Sequence, residues 1–253
     1  MDDPISRAAD LIRASGRAVA FTGAGISAES GIPTYRGRGG LWSRHDPNKY
    51  ASLDYFLHDP SCYWAFFREL RPLLDRARPN PGHVALAELE SRGALSAVIT
   101  QNIDGLHQAA GSARVLELHG TARRAHCMDC GRAFTIEAVF PLLAGDLPPR
   151  CAGCGGVLRP AVVFFGEALP AGVFEEAIAE ARASDLVLAV GSSLTVYPAA
   201  AVPEIARSAG ARILIVNVDP TPVDPAADLL FHDEAGRILP RILAALTQHR
   251  DFH

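Results

Sequence analysis

The sequence predicts an α/β protein built on a doubly wound parallel sheet, with a smaller inserted domain made of a helical segment and a metal ribbon. Three observations carry that reading. Apolar runs at 18–22, 95–99, 115–118, 185–190 and 213–216 alternate with helix-patterned stretches, as parallel strands and their crossovers do. Each run ends in small or polar residues (GAGIS, QNID, HG, GSS and NVD), and ligands of such sheets bind beyond the carboxyl ends of the strands. Two close cysteine pairs interrupt the alternation between the third and fourth runs.

Taken in order, residues 5–15 place Ile5, Ala8, Ala9, Leu11 and Ile12 at helical spacing, so a first helix leads into the strand at 18–22. Gly23-Ala24-Gly25 breaks that strand and residues 26–30 open a helix. A strand, a tight glycine turn and a helix N-terminus present backbone N–H groups to a diphosphate with no Cβ in the way. Gly23-x-Gly25-x-x-Ala28 also fits the dinucleotide fingerprint in its G-x-G-x-x-A form. Residues 37–40 read as a flexible segment able to close over a ligand. Residues 41–78 hold most of the aromatic side chains, from Trp42 and Tyr50 to Phe66 and Phe67, and read as two or three helices with a packed core. Pro79-Asn80-Pro81-Gly82 is a break, and 83–91 a helix ended by Gly93. Residues 173–183 and 199–208 are helices between the later strands.

A chain of 253 residues suffices for one large domain with a smaller one inserted. The expected division is a sheet domain of 1–40, 80–119 and 160–253, a helical insertion at 41–79 and a ribbon at 120–159. Apolar residues at 49% and charged residues at 21% are ordinary for a globular protein. No apolar run approaches the roughly 20 residues that span a bilayer. The acidic start, Met1-Asp2-Asp3-Pro4, is unlike a secretory signal, so the expected location is cytoplasmic with no membrane partner. A net charge of −4 argues against broad binding to nucleic acid.

Cys127-x-x-Cys130 and Cys151-x-x-Cys154, 20 residues apart, form C-x2-C-x20-C-x2-C, close to the spacing of a tetrathiolate zinc ribbon. Four protein thiolates leave no ligand position open, so Zn2+ there is structural. The competing redox dithiol needs one C-x-x-C at a helix N-terminus rather than two pairs. Cys62 reads as a core thiol.

His119 follows the strand at 115–118 and is the leading candidate for a general base, since a neutral imidazole takes a proton from a hydroxyl near neutral pH. Asn102 and Asp104 end the neighbouring strand, placed to hydrogen-bond a ribose and a carboxamide, although Asn and Asp-Gly also favour plain turns. His107 reads as a helix residue without a catalytic part. No nucleophile elbow and no P-loop lysine are present. Nor does an acidic residue follow a second strand about 20 positions past the glycines, as a dehydrogenase ribose site requires. The loop suits a dinucleotide, but hydride transfer does not follow.

Together GAGISAESGIPTYRG (23–37), TQNIDGLH (100–107), ELHG (117–120), the two cysteine pairs, VVFFGE (162–167), VGSSLTVYPA (190–199) and NVDP (217–220) resemble one family, the sirtuins, NAD-dependent protein deacylases. The resemblance implies a Rossmann-like NAD domain. It implies that Gly23, Ala24, Gly25, Ser27, Glu29, Tyr35, Arg36 and Trp42 serve the diphosphate, ribose and nicotinamide side of NAD. Gln101, Asn102, Ile103 and Asp104 would line the ribose and nicotinamide pocket. Gly191, Ser192, Ser193, Asn217, Val218, Asp219 and Ala235 would surround the adenosine half. The tail at 33–36 and the glycines after it would close over nicotinamide.

The implied reaction begins with attack of the acyl-lysine oxygen on the nicotinamide ribose, with loss of nicotinamide. His119 then serves as base for a ribose hydroxyl, Asn102 sits by that ribose, and the acyl group leaves on ADP-ribose. Acylated-lysine proteins or peptides are the implied partners. They would pair with the segment holding Val163, Phe165, Gly166 and Glu167, with Val163 and Phe165 flanking the acyl-lysine channel. Two positions depart from the family pattern. Tyr35 stands where Phe is usual. The Gly40-Leu41-Trp42 stretch and Ala51 resemble the branch that removes succinyl and malonyl groups, but Phe67 and Leu70 occupy the positions of that branch's Tyr and Arg. An acidic acyl group would then be buried unpaired at a cost of several kcal/mol, and Arg68 or Arg71 would replace the missing cation only on a rotated helix. The expectation is a deacetylase, with room beside Ala51 for longer apolar chains. Desuccinylase or demalonylase activity, mono-ADP-ribosyl transfer and an idle NAD-binding module are the alternatives.

Overall fold

The computed structural model describes residues 3–35 and 40–248. α1 (Pro4–Ala14) leads into β1 (Ala18–Thr22). The aromatic stretch forms α2 (Pro47–Tyr50), α3 (Leu53–His58) and α4 (Pro60–Arg76), and α5 (Pro81–Ser91) follows. β2 (Ala97–Thr100), α6 (Leu106–Ala110) and β3 (Val115–Glu117) complete the first half. Then come β4 (Gly120–Cys127), β5 (Ala133–Thr135), α7 (Ile136–Val139) and β6 (Leu158–Val162). α8 (Ala171–Ala183), β7 (Leu186–Val190), α9 (Ala201–Ser208), β8 (Arg212–Val216), β9 (Leu229–Phe231) and α10 (Ala235–Gln248) close the chain.

Six strands pair in the order β3-β2-β1-β7-β8-β9, every neighbour parallel. This is the doubly wound Rossmann order, and its switch point lies between β1 and β7. Strand side chains alternate faces. Ala18, Ala20, Val98, Leu188 and Leu214 pack under α1, α5 and α10 through Ile5, Ile12, Leu86, Leu89, Ile238 and Leu239. Val19, Phe21, Ile99, Val187 and Ile213 pack against Ala177 and Ala181 of α8 and Val202 and Ala206 of α9. Burial on both faces is why the strands read as continuous apolar runs.

A second sheet, β5-β4-β6, is antiparallel. It shares one core with the aromatic helices. Phe56, Trp64 and Phe67 pack with Ala125, Cys127, Ile136, Cys151, Leu158 and Phe164, and the Trp64 indole N–H donates to the Leu158 carbonyl at 2.9 Å. Helical segment and ribbon therefore form one small body.

Some expectations shift. Residues 26–30 do not open an α-helix: Ala24–Ser30 is a run of 3₁₀ turns, closed by Gly31 at φ 83°. Gly25, Ser27 and Ser30 are weak helix formers, and short 3₁₀ pieces are the usual outcome. α5 begins at Pro81 inside the expected break, because the Asn80 side chain caps the Gly82 and His83 N–H groups and proline suits the first turn. β9, α10 and the small sheet were not anticipated.

Candidate active site

One cleft of about 690 Å³ opens over the switch point. Its walls hold Gly23, Ala24, Gly25, Tyr35, Trp42 and Phe67, together with Gln101, Asn102, Ile103 and His119. Val163, Phe165, Gly166 and Glu167 line it, as do Gly191, Ser192, Ser193, Asn217, Val218, Asp219 and Ala235. Leu70, placed at the acyl pocket by the resemblance, lines it too, and Tyr63, Phe66, Val162, Phe164, Leu169, Tyr197 and Asp233 also contribute, none of them named as site residues from the sequence. For Tyr63, Phe66, Val162, Phe164 and Leu169 the apolar character is shared with ordinary core positions, so pattern alone does not single them out.

Close backbone packing builds the glycine turn. The Gly23 N–H donates to the Val190 carbonyl at 3.1 Å and the Gly25 N–H to the Gly191 carbonyl at 2.7 Å. Gly191 has φ 59°, and a Cβ there would stand 2.1 Å from the Ile26 nitrogen. Glycine at 191 is thus a condition for the ends of β1 and β7 to meet.

His119 sits between β3 and β4. Its Nδ1 is 3.0 Å from the Gln101 carbonyl oxygen, which only accepts, so Nδ1 carries the proton and Nε2 keeps a lone pair. Burial lowers the imidazole pKa, and the hydrogen bond to Gln101 partly offsets that shift. The ring is a neutral acceptor in a cleft wall. Beside it, both amide hydrogens of Asn102 are committed, to the Gly23 carbonyl and to Ser27 Oγ, each at 3.1 Å. The Gln101 amide donates to Ser192 Oγ at 2.9 Å, tying the β2 end to the β7 end.

Ser27 and Asp104 lie one layer below the cleft. Ser27 Oγ donates to Asp104 Oδ2 at 2.7 Å, and the Leu106 N–H donates to Oδ1 at 2.9 Å. Burial raises the Asp104 pKa against these donors and Arg123. Glu29 is not in the cleft wall: its carboxylate accepts the Gly236 N–H at 2.8 Å, at the start of α10. A carboxylate there meets the positive end of the helix. Arg36 and residues 37–39 lie outside the described residues.

Behind Ser27, His107, a helix residue as its position predicts, forms a buried imidazole pair with His83. His83 Nε2 lies 3.4 Å from Ser27 Oγ, and His107 Nε2 lies 2.9 Å from Thr22 Oγ1. The two rings are 4.9 Å apart. Burial lowers the His83 pKa to about 4, and burial with the neighbouring His83 lowers His107 to about 3. Recognising Asn80 as a helix cap was the available signal, since it fixes His83 in the first turn of α5.

At the other end the cleft is apolar. Tyr35 stacks on Trp42 at 5.2 Å and Trp42 on Phe66 at 6.4 Å. Burial, with Asp104 adding to it, pushes the Tyr35 hydroxyl up to about 12, so it stays protonated. Phe67 and Leu70 are buried in the wall. Arg68 is turned to the Leu143 carbonyl at 3.0 Å, and Arg71 to Asp75 and Glu137. Among the described residues lining the cleft, none is Arg or Lys.

Cys127, Cys130, Cys151 and Cys154 bring their Sγ atoms within 4.8 Å of one another, a set that one tetrahedral ion fits. Backbone N–H groups aimed at sulfur lower the Cys127 and Cys151 thiol pKa values, whereas the neighbouring thiols push Cys154 up to about 12. Among the described residues, no helix is long and apolar enough to cross a membrane.

Comparison with known proteins agrees with this geometry. A family model described as the Sir2 family matches residues 23–198. An NAD-dependent protein deacylase 2 of Archaeoglobus fulgidus is 49% identical over 252 residues, covering 99% of each chain. A Sir2 enzyme structure, solved for the mechanism and regulation of these enzymes, superposes with a TM-score of 0.92 at 48% identity, covering 99% of this chain and 100% of that one. A Sir2 variant with a deacetylated p53 peptide and 3'-O-acetyl-ADP-ribose also gives 0.92, at 39% identity over 95% of this chain and 97% of that one.

Proposed function

The chain belongs to the Sir2 family, and we propose a division of labour for the residues of its cleft. The protein is an NAD-dependent protein-lysine deacylase, acting on acylated lysine in proteins or peptides. NAD supplies ADP-ribose as the acyl acceptor and nicotinamide as the leaving group. The glycine turn and the β7 end, Gly191–Ser193, hold the dinucleotide over the switch point, with Asn217, Val218, Asp219 and Ala235 around its adenosine half. Asn102, its amide hydrogens already spent on Gly23 and Ser27, presents its remaining polar atom, Oδ1, to the ribose side. Gln101 and Ile103 complete that wall. Ser27 and Asp104 act from below, by fixing Asn102 and the start of α6. Zn2+ held by the four cysteines is structural and takes no part in the chemistry.

His119 is the general base, and its geometry is the observation that carries the reading. A carbonyl fixes the tautomer, burial keeps the ring neutral, and Nε2 is left to take a hydroxyl proton. Facing it, the segment Val163–Glu167 pairs with the substrate backbone as an added strand. Phe165, 41% exposed, offers an apolar contact beside the acyl-lysine.

Acetyl and other uncharged acyl groups suit the apolar end, because none of the described residues lining the cleft is an Arg or Lys that would pair with an acyl carboxylate. One observation favours chains longer than acetyl. A second cavity of about 270 Å³, lined by Pro33, Leu41 and Leu73 and at its polar side by Arg44, His45 and Glu69, shares the walls Phe66 and Leu70 with the cleft.

The test is incubation with labelled NAD and acetyl-, octanoyl- or succinyl-lysine peptide. Free nicotinamide and acyl-ADP-ribose are expected from the first two. Labelled protein instead would mean ADP-ribosyl transfer, intact NAD a binding module, and a dominant succinyl rate would reject the apolar acyl site. His119→Ala is expected to lower turnover by about 10²–10⁴-fold with the melting temperature kept, and retained activity would remove His119 as the base.

A further inference from the structure

Glu167 lines the cleft, yet one oxygen of its carboxylate is held by the protein itself. Its Oε2 accepts the Phe164 N–H at 2.7 Å and is ion-paired with the Arg159 guanidinium. Both side chains are mostly buried, Arg159 at 18% exposure and Glu167 at 17%. The Arg159 guanidinium also lies over the Phe164 ring, 5.3 Å from its centre. That ring packs on Phe56 at 4.8 Å and on Tyr63 at 5.1 Å. Return of the carboxylate is made possible by a turn: the Glu167 N–H donates to the Phe164 carbonyl at 3.1 Å, and Gly166 between them has φ 91°.

Three N–H groups hold the segment along the cleft. Val163 donates to the His119 carbonyl at 3.0 Å, Phe165 to the Ala51 carbonyl at 2.7 Å, and Phe164 to Glu167. Only the last anchor is a side chain. It lies between the two others, and through β6 it ties the segment to the sheet that carries the cysteines, where Arg159 is in register with His126.

From this geometry we propose that Arg159 and Glu167 form a strut that pre-shapes the Val163–Gly166 edge for the substrate backbone, making them positioning residues for peptide binding. The inference rests on the reading that this segment pairs with the peptide. A backbone edge recognises an extended peptide through its main chain, so its affinity depends on that edge being held in one shape beforehand. Without the carboxylate, the Phe164 N–H and the guanidinium lose their shared partner. The edge then spends part of its time out of register, and each productive encounter must first order it. Peptide affinity falls, while the chemistry at His119 and the dinucleotide contacts at the β1 and β7 ends are untouched.

The experiment is steady-state kinetics with acetyl-lysine peptide, beside ADP-ribose affinity by calorimetry, for wild type, Glu167→Ala, Glu167→Gln, Arg159→Met and the double variant. Glu167→Ala is expected to raise the peptide KM at least tenfold, with kcat within threefold and ADP-ribose affinity unchanged. Glu167→Gln keeps an acceptor for the Phe164 N–H and should fall between, and the double variant should be no worse than Glu167→Ala. A lowered kcat with KM unmoved, or an equal loss of ADP-ribose affinity, would overturn the strut, and Glu167→Gln decides the point if the alanine variant does not fold. Phe165→Ala separates the two levels. If it raises the peptide KM and Glu167→Ala does not, the strut is wrong. If neither moves it, the segment is not the peptide site.

Discussion

His119, the base we propose, would work only as a neutral imidazole, and two influences set that state in opposite directions. Burial favours the uncharged ring, while the Gln101 carbonyl at 3.0 Å favours the proton, and burial is the larger effect. The base is therefore lost only below the ordinary histidine value of about 6.5. In a pH profile of kcat/KM for the peptide, the acid limb should fall below that value and be absent from the pH dependence of ADP-ribose binding. An acid limb above 7 would mean a different base. Position at a strand end is the signal that marks His119 and Asn102 as candidates in the sequence, and both line the cleft. What was not legible is how the polar groups divide into those that face the cleft and those that brace it. Ser27, Glu29, Asp104 and Glu167 sit inside recognisable motifs, yet their side chains serve Asn102, α10, α6 and Arg159. Motif spacing reports which loop a residue is on and not which way it turns.

At the scale of elements, the strands buried on both faces were legible because they are short continuous apolar runs between glycines. β9 has only three residues, and the half-exposed strands of the small sheet, such as β5, give no such signal. The small sheet and the aromatic helices depend on one core in which two of the four cysteines are buried beside Trp64 and Phe67. Four thiolates within 4.8 Å repel one another without a cation. Chelation of Zn2+ should therefore expose amide hydrogens across 120–162 and 53–76 to exchange, abolish deacylation, and leave β1, β7 and β8 protected with ADP-ribose still bound. Hydrogen exchange by mass spectrometry reads this directly. Restoring the site with Co2+ should return the Zn2+ rate, and a metal-dependent kcat would contradict a structural ion.

For the whole molecule, the buried imidazoles set how stability depends on pH. His83 in the first turn of α5 and His107 in α6 are fully buried, and both keep a neutral ring in the folded state. The unfolded chain binds protons on them from about pH 6.5 downward, whereas the folded chain resists until about 4 for His83 and about 3 for His107. Between those limits the unfolded state holds more protons, so stability must fall as pH falls. Each pH unit costs about 1.4 kcal/mol per imidazole once the pH is well below 6.5. His119 adds in the same direction. Asp104, whose raised value makes the folded state the better proton acceptor, opposes them only in the carboxylate range. Urea midpoints measured at pH 8, 6, 5 and 4.5 should be flat above 7 and then decline with a slope approaching two to three protons. His107→Gln, which leaves a neutral side chain at every pH, should flatten that slope by about one proton. An unchanged slope would show that His107 is protonated in the folded protein.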